Sequence, residues 1–383
     1  MPTSSRTNRS ATAVPMLDLS RQHDALKDDF ARVFHEVVDA GAFILGPYVQ
    51  RFERSLAGYL KTRHALGCSS GTDALLLAMM ALDIGPGDEV ITTPFTFFST
   101  AGCIARLGAT PVFVDINPQT YNLQVKALEG AITERTKAIV PVHLFGLPAD
   151  MMRIMEIAEA YRLYVIEDAA QAIGASVNDR PVGSIGHVGT LSFYPTKNLS
   201  ALGDAGAVVT SDDNLAQRMA KLRSHGLSDG YTFDEVGGNF RLDGIQAGLL
   251  NEKIRHIESY NDARRRLAAY YDTEFERLPI GTPFEVPTRR HVYHQYTIRV
   301  HGGANQRRAL MDHLRASNVG CRVYYEKALH LQPCFEKLGY RRGSLPEAER
   351  AADEVLSLPI FPEMTRDEQD EVIRAVAEFF ESD

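Results

Sequence analysis

Tryptophan is absent and cysteine is scarce, with four in 383 residues: Cys68, Cys103, Cys321 and Cys334. No two of them form a C-x-x-C pair, which excludes a zinc ribbon and a thioredoxin-type motif and makes reduced thiols in a cytoplasm the expectation. Long apolar runs are missing too. No stretch approaches the ~18 residues that a membrane helix needs, so no membrane partner is expected. Positive charge is in deficit, with 41 Lys and Arg against 49 Asp and Glu and a formal net charge of −8. The chain therefore lacks the basic footprint of a nucleic-acid binder, although one local phosphate pocket is still permitted. Residues 1–14 are rich in Ser, Thr and Arg and have no apolar core. They read as a disordered tail and not as a secretory signal.

What is present is an ordinary globular composition, 44% hydrophobic and 23% charged. The length predicts one large or two ordinary domains, enough to bury a core without disulfide or metal staples. From about Gly67 to Ser211 short apolar runs alternate with helical patterns. The strand candidates are 89–93, 111–115, 138–142, 163–167, 190–193 and 207–210. The helix candidates are 72–82, 99–107, 126–131 and 150–162. This alternation predicts an α/β fold with a mostly parallel sheet flanked by helices. The texture changes after Arg241. Residues 243–278 read as one long charged helix, and 293–300 as a half-buried strand of an antiparallel sheet. Helix over 307–315, strand over 319–324 and helices over 347–356 and 366–380 complete a smaller α+β domain. The boundaries expected are 15–260 for the large domain and 261–383 for the small one, with the N-terminal segment able to pack on the latter.

Three stretches carry chemistry. Ser69-Ser70-Gly71-Thr72-Asp73 sits just before an apolar helix. Such a start is either an ordinary Ser/Thr cap or a phosphate cradle of free N–H groups at a positive dipole end. Glu167 and Asp168 close a buried strand, where ligands collect in open α/β sheets. An Asp there could hold a metal, a ribose or a protonated ring nitrogen. No His or Cys stands near in sequence to complete a metal set, so no metal is expected. Ser192 and Lys197 follow the next strand through a Pro turn. Lys197 is either a surface lysine or a desolvated amine suited to Schiff-base chemistry. Together the three answer the needs of one cofactor, pyridoxal 5'-phosphate: a phosphate cradle, an Asp against the pyridinium nitrogen, and a Lys for the aldehyde.

The motifs GAFILGPYVQRFE (41–53), SSGTDAL (69–75), PGDEVITTPFTFFST (86–100), EDAAQAIGA (167–175), SFYPTKNLSALGDAGA (192–207), GGNFRLDGIQA (237–247) and ALHLQPCF (328–335) closely resemble those of the DegT/DnrJ-type sugar aminotransferases, within fold type I of the pyridoxal-phosphate enzymes. The resemblance covers about residues 15–379. It implies that Lys197 is the Schiff-base lysine and, once released, the proton shuttle. It implies Asp168 as the pyridinium partner and Gln171 as the partner of the ring's 3-oxygen. The N–H groups of Thr72 and Asp73, next to Gly71, and the Ser192 hydroxyl would hold the phosphate. Phe97 would stack on the ring. Asn239 would reach the neighbouring subunit's cofactor, so a homodimer with shared sites is implied. The substrates implied are L-glutamate and a nucleotide-linked keto sugar, aminated at C3 by some members and at C4 by others. His225, Arg241, Tyr325 and His330 are the sugar-side candidates. The ALHLQPCF stretch resembles the C3-aminating group, although Glu326 and Lys327 follow Tyr325 where that group commonly has Pro. Relatives that dehydrate sugars carry His at the lysine position, and Lys197 speaks against that chemistry. A non-catalytic regulator is the alternative of another class.

Overall fold

The computed structural model describes residues 13–381. Its centre is a seven-stranded sheet in the order β1-β9-β8-β5-β4-β2-β3. The strands are β1 (His64–Cys68), β2 (Glu89–Thr92), β3 (Thr110–Phe113), β4 (Thr136–Val140), β5 (Tyr164–Asp168), β8 (Val188–Ser192) and β9 (Gly206–Thr210). The neighbours from β3 through β8 pair in parallel, and β9 runs antiparallel to both β8 and β1. β2 and β9 are buried at every position, and β4, β5 and β8 at all but one, as a sheet covered on both faces requires. Two apolar cores lie against it, one including Phe52, Ile139, Val165 and Phe193, the other Leu77, Val90, Ile166 and Val208.

The helices over the sheet are α3 (Gly46–Leu60), α4 (Gly71–Ala81), α5 (Ser99–Arg106), α6 (Met151–Tyr161), α7 (Asp213–Leu222) and α8 (Gly244–Lys253); the amphipathic pair α1 (Leu19–Ala25) and α2 (Lys27–Ala40) precedes them. A second sheet, three-stranded and antiparallel, joins β10 (Ile280–Gly281), β12 (Tyr296–Val300) and β13 (Val355–Leu358). Its core of Tyr271, Tyr296, Ile298, Leu356 and Phe361 is covered by α9 (Ile257–Phe275), α10 (Gly303–Ala316) and α12 (Arg366–Glu381), with α11 (Pro346–Glu354) beside α10. A small third sheet unites β6 (Ser176–Val177), β7 (Arg180–Pro181) and β11 (Arg289–Arg290). The proposed boundary near residue 260 falls within α9: Ile257 packs in a large-domain core, and Ala268 and Phe275 pack in the small one.

Several sequence expectations are corrected. Of the tail expected over 1–14, residues 1–12 lie outside the described residues. Val14, however, is 1% exposed and bridges Val319, its N–H donating to the Asn318 carbonyl at 3.0 Å. The helix expected at 126–131 is two 3-10 turns, Val125–Ala127 and Glu129–Ala131, because six residues holding Gly130 are too few to sustain an α-helix. The long helix expected at 243–278 breaks at a 3-10 turn, Ile254–His256, and ends at Phe275. Residues 319–324 make only isolated bridges. The helix expected through 356 stops at Glu354, where the apolar Val355–Leu358 enters the antiparallel sheet. The strand expected at 293–300 starts at Tyr296 and is almost wholly buried, since helices cover its sheet. No helix among the described residues is long and apolar enough to cross a membrane.

Candidate active site

Six strands, β1, β2, β3, β4, β5 and β8, run the same way and end at the same edge of the sheet. This is the edge at which open α/β sheets collect ligands. The chemistry-bearing stretches of the sequence all arrive at it.

The loop after β1 starts α4. Ser70 is its N-cap and its Oγ accepts from the Asp73 N–H at 3.0 Å. The Asp73 carboxylate in turn accepts from the hydroxyls of Ser69 and Ser70, at 2.6 and 3.0 Å. The Asp73 N–H expected to hold a phosphate is thus committed to the cap. Gly71, the first residue of the helix, lies against Ser192, at the end of β8. A Cβ added to Gly71 would lie 2.7 Å from Ser192 Cβ and 3.2 Å from its Oγ. Glycine is what lets this helix start approach the Ser192 hydroxyl. The start is capped by Ser70, and its first turn faces the Ser192 side chain.

Asp168 ends β5 and is 5% exposed. Its Oδ2 accepts from Thr100 Oγ1 at 2.8 Å and its Oδ1 from the Ala170 N–H at 3.2 Å. Burial pushes its carboxyl above the usual aspartate range, against the opposing pull of Thr100, Ala170 and Lys197. Glu167 points to the other face and is fully enclosed. It accepts from the N–H groups of Gly183, Ile185 and Gly186 and from His143 Nε2 at 3.0 Å. The Ala149 N–H donates to His143 Nδ1, so the imidazole proton sits on Nε2. Glu167 is therefore a structural anchor, and Asp168 is the carboxylate left for a ligand.

Lys197 follows a tight turn in which its N–H donates to the Tyr194 carbonyl at 2.8 Å across Pro195. The side chain is half-buried. Desolvation lowers its amine to about 8, and the Asp168 charge resists that shift. Gln171 uses both ends of its amide. Its Oε1 accepts from the Phe145 N–H at 2.7 Å, and its Nε2 donates to the Tyr325 hydroxyl at 3.0 Å, leaving one N–H free. The Phe97 ring is 59% exposed and lies 6.5 Å from that of Tyr325. An exposed aromatic ring suits stacking on a flat ring.

The sugar-side candidates separate. Tyr325 is in the cluster through Gln171. His225 and Asn239 are exposed on adjoining strands of a loop, where the His225 N–H donates to the Gly238 carbonyl at 2.9 Å. Arg241 pairs its backbone with Cys68 at the phosphate-loop strand, and its Nε is buried without a partner. His330 is 1% exposed; its Nε2 lies 3.1 Å from Glu349 Oε1, and its Nδ1 is buried without a partner. Sequence reasoning missed Thr100 and His143. Thr100 lies in a quoted motif, but nothing local marked its hydroxyl. A cleft of about 660 Å³ lined by Asn117, Lys126, Asp150, Arg153, Phe284 and Arg289 takes in none of the candidate residues. Among the described residues no group of three or more His, Cys, Asp or Glu could hold a metal ion.

Residues 24–377 match the model of the DegT/DnrJ/EryC1/StrS aminotransferase family. The chain belongs to this family. It is 50% identical over 370 residues to a pleiotropic regulatory protein of Geobacillus stearothermophilus, spanning 96% of this chain and 98% of that one. It is 45% identical over 358 residues to a UDP-N-acetyl-3-dehydro-alpha-D-glucosamine 3-aminotransferase of Acidithiobacillus ferrooxidans, spanning 94% and 95%. The crystal structure of S. venezuelae DesV superposes with a TM-score of 0.93 at 41% identity, over 96% of this chain and 99% of that one. This member of the DegT/DnrJ/EryC1/StrS family is a pyridoxal-phosphate-dependent aminotransferase, and its fold is that of the family. The cradle at Gly71, the buried Asp168 and the desolvated Lys197 fit that cofactor.

Proposed function

We propose that the protein transfers an amino group from L-glutamate to C3 of a nucleotide-linked keto sugar, for amino-sugar biosynthesis, and that it works as a homodimer in the cytoplasm. The observation that carries the reading is the meeting of Lys197, Asp168 and the Gly71–Ser192 cradle at one sheet edge. The 3-aminotransferase name of a relative that shares 45% of its residues supports C3.

Bound pyridoxal phosphate supplies an electrophilic carbon and a ring that accepts the electron pair left at the substrate's Cα. The protein's residues do the rest. Gly71, Thr72 and Ser192 hold the phosphate. Lys197 would anchor the aldehyde, and with its amine lowered to about 8 by burial about a tenth would be uncharged at pH 7. When not joined to the aldehyde, the same amine would hold and move the proton at the substrate's Cα. Asp168, held by Thr100, keeps a proton at the ring nitrogen. The Phe97 ring, 6.5 Å from that of Tyr325, would stack on the cofactor ring. Asn239, exposed and beside His225, is free to reach a second subunit. Ping-pong kinetics follow from a shared site that serves two substrates in turn.

The test is the reverse half-reaction with a panel of 3-amino and 4-amino nucleotide sugars, read by loss of the cofactor's visible band. Conversion by 3-amino sugars alone supports the proposal, and conversion by 4-amino sugars alone moves the site to C4. A second reading, a regulator that binds the cofactor without turnover, is favoured by the name of the Geobacillus relative. It would be supported by a bound cofactor that no amino sugar or amino acid converts.

A further inference from the structure

The loop that carries Lys197 is held from behind by residues with no part in the chemistry above. Asn198 is 5% exposed, and every polar atom of its side chain is used. Its Nδ2 donates to Asn261 Oδ1 at 2.8 Å and to the Val292 carbonyl at 3.0 Å, and its Oδ1 faces His294 Nδ1 at 3.2 Å. Val292 offers only a carbonyl there, so the amide cannot be turned round. The His294 proton must then sit on Nδ1 and donate to Asn198. Asn261, on α9 and 0% exposed, donates through Nδ2 to the Ile173 carbonyl at 3.0 Å. Ile173 belongs to the loop of Asp168 and Gln171. That contact is close: a Cβ on Gly174, at φ +87°, would lie 2.3 Å from Asn261 Nδ2.

The network continues on the other side. Arg264 Nη1 donates to the carbonyls of Tyr293, His294 and Ile360, at 3.2, 3.4 and 2.8 Å. The Val292 N–H donates to the Gly146 carbonyl at 3.1 Å, next to the Phe145 that holds Gln171. His294 is 5% exposed and kept neutral by burial and by the charges of Lys197 and Arg264. A neutral imidazole can serve as a fixed donor beside Lys197 without adding a second cation.

We propose that Asn198 is a positioning residue whose carboxamide, joined to Asn261 and His294, fixes the Lys197 loop against the Asp168–Gln171 loop. This rests on the reading of Lys197 and Asp168 as the reacting pair. It assigns no chemistry to Asn198 itself. Its side chain acts through the distance between two loops that separate strands deliver.

The test compares Asn198→Ala, His294→Leu and His294→Asn in the holoenzyme. In Asn the Nδ2 donor takes the place of His Nδ1, so His294→Asn preserves the bond to Asn198. We expect kcat of Asn198→Ala and His294→Leu to fall about tenfold to hundredfold, with KM for both substrates within about threefold of wild type. His294→Asn is expected to restore kcat to within about threefold. In cofactor-free protein, amide exchange over residues 193–201 is expected to speed up about tenfold or more in the two disruptive variants and not in His294→Asn. If Asn198→Ala does not fold, the His294 pair carries the comparison. Unchanged kcat with lowered thermal stability would overturn the proposal, as would a His294→Asn as damaged as His294→Leu. Wild-type protein that never joins the cofactor to Lys197 would overturn the underlying reading as well, and is seen separately in its absorbance.

Discussion

Replacing Asp168 by Asn changes one atom at the centre of the site, and the structure says what should follow. The carboxylate accepts from Thr100 Oγ1 and from the Ala170 N–H. In the variant, Asn Oδ1 can keep the Ala170 bond while its NH₂ meets the Thr100 hydroxyl. That hydroxyl can turn to accept, since its own proton already has the Phe97 carbonyl within 3.3 Å. The fold and the phosphate cradle should therefore survive, and cofactor should remain bound. What is lost is a negative charge, enclosed at 5% exposure, that keeps the ring nitrogen protonated. Removing one partner of such a buried pair costs about 3 to 5 kcal/mol. At about 1.4 kcal/mol per decade, kcat should fall by roughly two to four orders of magnitude. The assay is steady-state turnover at saturating cofactor, with cofactor content read by absorbance after dialysis and folding by thermal melt. Asp168→Asn protein that retains cofactor and turns over within about threefold of wild type would refute the reasoning.

Other outcomes follow from the same geometry. Gly71→Ala should weaken cofactor affinity at least about tenfold, because the new Cβ would lie 2.7 Å from Ser192 Cβ and force the cradle open; equilibrium dialysis measures it, and unchanged affinity would deny the cradle. Lys253 is 0% exposed and donates to Ser200 Oγ at 2.5 Å, and burial lowers its amine from 10.5 to about 8. The unfolded chain binds the extra proton between those values, so the penalty is full below about pH 8 and is relieved as pH rises to 10.5. Lys253→Met removes a penalty of about 3 kcal/mol and loses a hydrogen bond worth about 1 kcal/mol, so at pH 7 it should stabilise the fold by about 1 to 2 kcal/mol. That advantage over wild type should shrink as pH rises from 8 toward 10. Denaturant melts across pH check it, and an advantage that does not shrink would sever the link to Lys253.

Much of the large domain was legible because its strands are short apolar runs buried on both faces, each between helical patterns. The six strands expected there all form, displaced by a residue or two at their ends. β1 escaped because His64–Cys68, with Gly67 near its end, carries little strand signal. β13 escaped because Val355–Leu358 continues directly from α11, and only pairing with β12 makes it a strand. Lys197, Asp168 and Gln171 stand at one sheet edge, each at or just after the end of a strand that the sequence announced. The supports of these residues lay beyond local reading. Thr100 meets Asp168 across 68 positions and Tyr325 meets Gln171 across 154. The partner of His330, Glu349, likewise lies 19 positions away, and no local pattern announces it.

The central claim is that amino transfer runs through Lys197, and borohydride reduction of the holoenzyme followed by peptide mapping tests it most directly. Cofactor mass is expected on the peptide containing Lys197, with no labelling in Lys197→Ala. Label on any other lysine, or a Lys197→Ala protein that is still labelled, would contradict it.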